Sequence, residues 1–378
     1  MSLRANGIRN ARRIAFLISL PLLALPWLSP SSTADLSSSH TDHLRHAYAV
    51  RVFWARGLDL YRLPFGEAAR GVAGRHPGLY WEHVPYAYPP GALLLFLPVS
   101  AASEAWVEAH LTHARWLVTF TTGLALLAWF ALLCLLFSGA QTRVELAVAA
   151  MFAAFAFPAL MRAGLEGFYD PAWFAVGVAA IIALQRKSFE AALGLCALAV
   201  SIHLRAAALA PVAGMAFFGL LQTRGRRAWL HPAVLFAAVV GVIAVYVFTA
   251  ADRFAPEFRG GKLALYSQPL PLVICTAVTV GAAGLCLWRR KPLAAAALFV
   301  VWGLALGDLR AWWHASMALI PLLLFFCRGA NGQPLGRTDG WVAIALVVWA
   351  VQFQRFAWGG RAWDLLPAIG GVLRPLVQ

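Results

Sequence analysis

The chain has 378 residues, 61% of them hydrophobic and 12% charged, with a formal net charge of +15. A soluble domain carries about 25% charged residues, so the composition excludes an ordinary soluble globular protein and indicates an all-α polytopic membrane protein. The basic excess does not mark a nucleic-acid binder, because much of it sits in short links between apolar runs, where Lys and Arg set orientation in a bilayer.

In chain order, a basic start (Met1 to Arg13) precedes an apolar run from Ile14 to Leu28 and then a Ser-rich stretch. This pattern fits either a first transmembrane helix or a cleaved secretory signal, and in both cases Ser29 onward emerges on the non-cytoplasmic side. Further apolar spans fall near 113–138, 144–161, 171–184, 189–203, 206–222, 230–250, 269–288, 292–307, 312–327 and 340–358. With 14–30 they predict about eleven transmembrane helices. The links holding Arg143, Arg186-Lys187, Arg224/Arg226/Arg227, Arg289-Arg290-Lys291 and Arg328/Arg337 read as cytoplasmic, like the N-terminus. The expected product is a single multi-pass domain, 1–378, in the cell membrane, its working face turned to the periplasm or exterior.

Between the first two spans lies a long polar stretch, 31–112, read as a large outer loop carrying surface helices. Asp42 to Gly57 has a helix-start signal, with Asp42 as N-cap and Leu44, Tyr48, Val52 and Ala55 at helical spacing, which suits a helix on the membrane surface. The segment 88–100 (YPPGALLLFLPVS) is short for a span, and Pro89-Pro90 permits a helix only from there onward. It is expected to be a re-entrant or short helix, since a crossing here would turn Arg289-Arg290-Lys291 outward. With this topology thirteen of the acidic residues face out and only Glu145, Glu190 and Asp339 face in. Acidic residues contribute little to orientation, so this sorting is independent of the rule that set it.

Ionisable groups beside apolar spans are costly and mark functional candidates. Asp42 is the candidate general base, since a carboxylate within hydrogen-bond reach can take the proton of an attacking sugar hydroxyl; the plain alternative is that it only caps its helix. Asp35, in the Ser-rich stretch, is the competing carboxylate. His43, His46, Tyr86 and Tyr88 are candidate substrate-loop residues, with Glu166 and Asp170 as hydroxyl binders or as caps of the helix begun by Pro171. Arg205, beside His203, is a candidate for an anionic lipid-linked phosphate, with snorkelling to the interface as the alternative. Arg162, Arg310 and His314 are further candidates for binding donor phosphate or sugar. The five cysteines (Cys134, Cys196, Cys275, Cys286, Cys327) lie in or at the ends of apolar runs with no CxxC pair. No disulfide framework, zinc site, other metal site or cofactor is expected. No phosphate loop, dinucleotide loop, HExxH or GxSxG motif is present, and no link is long enough for a nucleotide-sugar-binding domain. A sugar donor is therefore expected to be lipid-linked.

The series Asp42, Tyr48, Ala49, Gly57, Tyr61, then Tyr86-Ala87-Tyr88-Pro89-Pro90-Gly91 and Leu97-Pro98 resembles glycosyltransferase family 87 of the GT-C superfamily. Weaker likeness extends to Gly164–Phe174, His203–Pro211 and Trp312–Pro321. The resemblance implies a GT-C-type bundle and inverting transfer of a sugar, mannose above all, from a polyprenyl-phosphate donor to a glycolipid or glycan acceptor, with Asp42 as base. Two departures stand out. Gly164-Leu165-Glu166-Gly167 replaces a common Gly-Gln, and Leu204-Arg205-Ala206 replaces a common Lys-Pro. The competing class is a transporter or flippase for a lipid-linked sugar, and a non-catalytic scaffold in envelope glycan assembly is a third.

The topology predicts that a cysteine at Gly71 reacts with an impermeant label from outside, and one at Gly225 only after permeabilisation. Labelling of both from one side overturns the orientation.

Overall fold

A computed structural model describes residues 17, 21, 23–24, 42–72, 85–100, 112–139, 160–161, 164, 169–254, 269–288, 295 and 298–299. Among them every regular element is helical. Ten α-helices run Asp42–Arg56 (α1), Asp59–Arg62 (α2), Phe65–Ala68 (α3), Pro90–Ser100 (α4), Thr112–Gly139 (α5), Asp170–Gln185 (α6), Phe189–Ile202 (α7), Ala210–Arg224 (α8), Pro232–Phe254 (α9) and Pro269–Trp288 (α10). Two 3-10 segments, Leu204–Leu209 and Gly225–Leu230, join α7 to α8 and α8 to α9. The expected spans at 113–138, 171–184, 189–203, 206–222, 230–250 and 269–288 correspond to α5 through α10. Those at 144–161 and 292–307 fall largely, and those at 312–327 and 340–358 wholly, outside the described residues, as does most of 14–30.

Counting residues whose side chains are described, no single helix is long and apolar enough to cross a membrane. One pair, Ala210–Leu230 with Pro232–Val247, meets that test together across a bend of 68°. The fully described apolar part of α5, Thr119–Leu135, falls just short in length, although its helical backbone continues to 28 residues.

Helix α7 lies at the centre. It packs against α6, α8, α9 and α4, while α5 covers the other side of α6 and α1 lies on α4. Small residues permit this closeness. A Cβ built at Gly91, in the first turn of α4, would fall on the Ser201 carbonyl near the end of α7, so only glycine allows the two backbones to approach there. The Pro89-Pro90-Gly91 sequence thus starts α4 and docks it in three residues.

Helix α1 differs from the expected surface helix. Its buried side chains include His46, Tyr48, Ala49, Val50 and Val52, spread over about half of its circumference, and Ala55 is exposed. Among its described side chains, those at the end of the helix, Trp54 to Arg56, are exposed. Gly57, at φ 59°, closes the helix with its N–H donating to the Phe53 carbonyl. Beyond it the loop is tied back twice: Arg56 Nη2 donates to the Arg70 carbonyl at 2.7 Å, and the Tyr86 N–H donates to the Leu60 carbonyl at 3.3 Å. Gly71 and Gly225 also take positive φ, 77° and 57°. A side chain is strained at either position, so their exposed neighbours Arg70 and Gln222 are the better labelling positions for the topology test.

Candidate functional site

Apart from tyrosine, tryptophan and cysteine, six polar side chains are buried among the described residues, and the three ionisable ones, His46, Asp170 and His203, belong to one cluster. Each comes from a different part of the chain. His46 is four residues into α1, Asp170 opens α6, and His203 stands where α7 breaks into the 3-10 segment. His203 is extended (φ −148°, ψ 133°), which ends α7 and turns the chain back toward α6.

Asp170 is the electrostatic centre, 3% exposed. Its Oδ1 accepts from Arg205 Nη1 at 3.1 Å and from Trp173 Nε1 at 3.3 Å, and lies 3.6 Å from His203 Nε2. Asp170 sits in the first turn of α6, where the positive helix end also favours a carboxylate. It does not cap the helix; the N-cap is Tyr169, with no side-chain cap bond. Of the two readings of Asp170, hydroxyl binder or cap, the cap is not seen, and the carboxylate pairs instead with a cation distant in sequence. His203 is fixed from its other side, because Nδ1 accepts the Arg205 backbone N–H at 3.0 Å. That bond requires a lone pair on Nδ1, so the neutral ring carries its proton on Nε2, the nitrogen facing Asp170.

No carboxylate partner lies near Arg205 in sequence. The fold supplies one from α6, 35 residues away in sequence. One fifth of its side chain remains exposed, so it stands at the rim of the cluster with its charge largely compensated by Asp170. A phosphate at this rim therefore meets a neutralised pair and not an isolated cation.

The aromatic wall comes from the first loop and from Tyr169. His46 Nδ1 and the Tyr86 hydroxyl are hydrogen-bonded at 2.8 Å. The His46 ring also stacks on Phe96 (4.9 Å between centroids) and meets Tyr88 and Tyr169 edge-on at 4.6 and 4.5 Å. Tyr88 and Tyr169 in turn contact the His203 ring at 5.8 and 5.5 Å. The rings form a continuous path from α1 to the Asp170 cluster. Tyr61 continues the wall behind Tyr86 at 5.9 Å.

Two hydroxyls here, Tyr61 Oη and Tyr169 Oη, are buried with no hydrogen-bond partner among the described residues. Burial raises both phenol pKa values above their ordinary 10.0; at Tyr169 the neighbouring Tyr86, Tyr88 and Asp170 add to the rise and Arg205 opposes it. Both stay protonated at physiological pH and serve as donors, not bases. Ionisation of these groups therefore leaves stability untouched below the unfolded tyrosine value near 10, and stability falls as pH rises from there through the higher folded values.

Of the residues singled out from sequence, the structure brings His46, Tyr86, Tyr88, Asp170, His203 and Arg205 together. Asp42 and His43 lie in the first turn of α1. Asp42 is four residues before His46, hence on the same helix face one turn toward the N-terminus. Arg162, Glu166, Arg310 and His314 lie outside the described residues, as does Asp35. Sequence reasoning missed Tyr169, Trp173 and Phe96. The i, i+3 spacing of Asp170 and Trp173 is a usable signal for their contact; nothing local marks Tyr169 apart from its place before the Asp-Pro helix start. Comparisons with protein-family models, with curated proteins and with solved structures find no match.

Removing one partner of a buried pair typically costs about 3–5 kcal/mol. Asp170→Asn keeps an acceptor for Trp173 but leaves the Arg205 guanidinium uncompensated, and partial exposure of Arg205 lowers the expected loss to about 2–4 kcal/mol. Adding Arg205→Met should recover part of that loss in a double-mutant cycle of thermal stability. A single Asp170→Asn variant that melts like the wild type overturns the structural weight given to this pair.

Proposed function

We propose that the chain is a membrane-embedded glycosyltransferase that moves a sugar from a polyprenyl-phosphate donor to a lipid or glycan acceptor on the outer face, with Asp42 as general base. The observation that carries this reading is the convergence of the first-loop series with the residues around Asp170 and His203. Residues 46, 86 and 88, read from sequence as one substrate loop, meet residues 169–170 and 203–205 in a single buried polar and aromatic cluster. In so apolar a chain, buried ionisable groups are expensive unless paired and used. The helical backbones of α5 (28 residues), α9 (23) and α10 (20) support the membrane part of the reading, since about 20 apolar residues span a bilayer.

The chemistry follows from the residues. The acceptor hydroxyl attacks the anomeric carbon, Asp42 takes its proton, and the bond from that carbon to the phosphate oxygen breaks, releasing polyprenyl phosphate with inversion. The half-buried Tyr88 ring offers an apolar face for stacking a sugar ring, with Tyr86 and Tyr169 packed behind it. The Tyr169 hydroxyl is a donor without a protein partner among the described residues, suited to a sugar hydroxyl or a phosphate oxygen. Arg205 and His203, held in place by Asp170, line the rim at which the leaving phosphate is received.

A second reading has its own support. Transporters bind substrate at broken helices carrying ionisable groups, and the break between α7 and α8 at His203 beside Asp170 and Arg205 is such a place. Purified protein in a bilayer, given radiolabelled polyprenyl-phosphate sugars, separates the two readings. Asp42→Asn keeps size and capping ability but loses the proton acceptor, so transfer should fall at least about a hundredfold while donor binding persists. Asp35→Asn is the control and should be near neutral. Transfer within a few-fold of wild type in Asp42→Asn moves the base elsewhere, and donor translocation without transfer favours the carrier.

Tyr169→Phe tests the substrate face. Removing a buried hydroxyl that has no protein partner should leave stability unchanged or slightly higher. If that hydroxyl holds substrate, the donor KM should nevertheless rise by about tenfold, the worth of a typical neutral hydrogen bond. Unchanged kinetics remove Tyr169 from the substrate face.

A further inference from the structure

The end of the bundle opposite the Asp170 cluster carries a second feature. Helices α6 and α7 have 16 and 14 residues, which separates their two ends by about 21–24 Å at 1.5 Å per residue. At the far end, where α8 breaks into α9, a hollow of about 740 Å³ is lined by Thr223, Arg224, Arg226, Arg227, Leu230 and His231, with Pro232. That volume lies within the range of ligand sites, and its lining is strongly basic.

The cations are not equivalent. Arg224 donates through Nε and Nη2 to Glu190 Oε1, at 3.0 and 2.9 Å, which fixes its guanidinium and cancels its charge locally. Arg226 and Arg227 are exposed, and no hydrogen bond or ion pair engages either one among the described residues. His231 Nδ1 accepts the Ala233 N–H at 3.2 Å, so its neutral ring keeps Nε2–H as a donor. The N-terminus of α9 supplies no free amide: Ala233 is taken by the His231 ring, and Val234 and Leu235 donate to the His231 carbonyl. Binding of an anion must therefore come from the two arginines and His231, and the helix end contributes only its field.

Apolar groups flank these donors. Trp229 is 60% exposed and Leu230 77%, and the Trp229 ring packs on Phe217 at 4.8 Å between centroids. Guanidinium forks match phosphate oxygens, and exposed tryptophan beside basic residues is characteristic of the bilayer interface. A soluble phosphate has no use for Trp229 and Leu230; a lipid has a use for both halves of the surface.

We infer that the hollow formed by Arg226, Arg227 and His231 between α8 and α9 binds the phosphate of an anionic membrane lipid. The inference shares with the proposed function only the membrane setting. It does not involve transfer chemistry, so the two fail separately.

The test uses the full chain in neutral detergent and reads melting temperature against three probes: short-chain phosphatidylglycerol, short-chain phosphatidylcholine and sodium phosphate. Phosphatidylglycerol should raise the melting temperature in a saturable way. Half-saturation should need at least about tenfold more lipid in the Arg226→Gln/Arg227→Gln variant, because each lost charge-assisted hydrogen bond matters at this scale. Neither arginine has a partner among the described residues, so that variant should melt like the wild type without lipid, and Arg226→Lys/Arg227→Lys should lie between. An equal response to sodium phosphate overturns the lipid source, and an equal response to phosphatidylcholine overturns selection for net negative charge. Unaltered half-saturation in the glutamine variant, or no response to phosphatidylglycerol in the wild type, overturns the site.

Discussion

A carboxylate almost wholly removed from solvent cannot remain charged without compensation, and Asp170 is such a carboxylate. Its compensation comes from a helix start, an indole N–H and a guanidinium that approaches from the far side of α7. Satisfying it dictates much of the local architecture. Helix α7 must stop where it does so that His203 turns extended and Arg205 arrives within hydrogen-bond distance. The 3-10 segment that follows is the consequence: six residues, Leu204–Leu209, are needed to re-aim the chain before α8 resumes. The chain pays for the break in the α7–α8 helix by placing it where an ion pair repays the lost backbone continuity.

The same constraint explains why the parts of the first loop that carry His46, Tyr86 and Tyr88 pack against the cluster. Tyr88 and Tyr169 both lie against the His203 ring, and His46 closes over them from α1. Aromatic side chains with one polar end can surround an ion pair without leaving it in hydrocarbon and without flooding it with water. The glycine at 91 makes this arrangement possible, because it allows α4 to approach the end of α7 closely enough to bring Tyr86 and Tyr88 to the cluster.

Much of this was legible in the sequence because hydrophobic runs and basic links are local signals. The bounds of α10, Pro269–Trp288, coincide with the apolar run, and α6 begins at the Asp170-Pro171 pair. The helix of Asp42–Arg56 was marked by its first residue and by Gly57 at its end. Its environment was not, because spacing of Leu44, Tyr48, Val52 and Ala55 describes a single apolar face, whereas α1 is enclosed by α4 and the aromatic wall on several sides. The partner of Arg205 was invisible for a different reason. An ion pair across 35 residues depends on how α6 meets the end of α7, a tertiary fact that no short window contains. Tyr169 was overlooked because a lone aromatic at a span boundary has a bland interfacial reading, and only its buried hydroxyl sets it apart.

The pairing of Arg205 with Asp170 changes what a phosphate-binding role there requires. A free guanidinium attracts any anion and loses much of that attraction to salt. A guanidinium held by a buried carboxylate has a fixed orientation and a small net charge, so it selects by geometry more than by charge. His203 is constrained likewise, with Nδ1 committed to the backbone and Nε2 directed at Asp170. Under the proposed function this arrangement would suit a site that binds a lipid phosphate and then releases it, since strong electrostatic retention of a leaving group slows turnover. At the opposite end of the bundle, Arg226 and Arg227 have no such counterweight among the described residues, and a lipid that stays bound is the ligand proposed for them. The two ends thus apply the same guanidinium group differently, and the difference rests on where the carboxylates are: Asp170 buried beside one cation, Glu190 at the edge of the other group and hydrogen-bonded to Arg224.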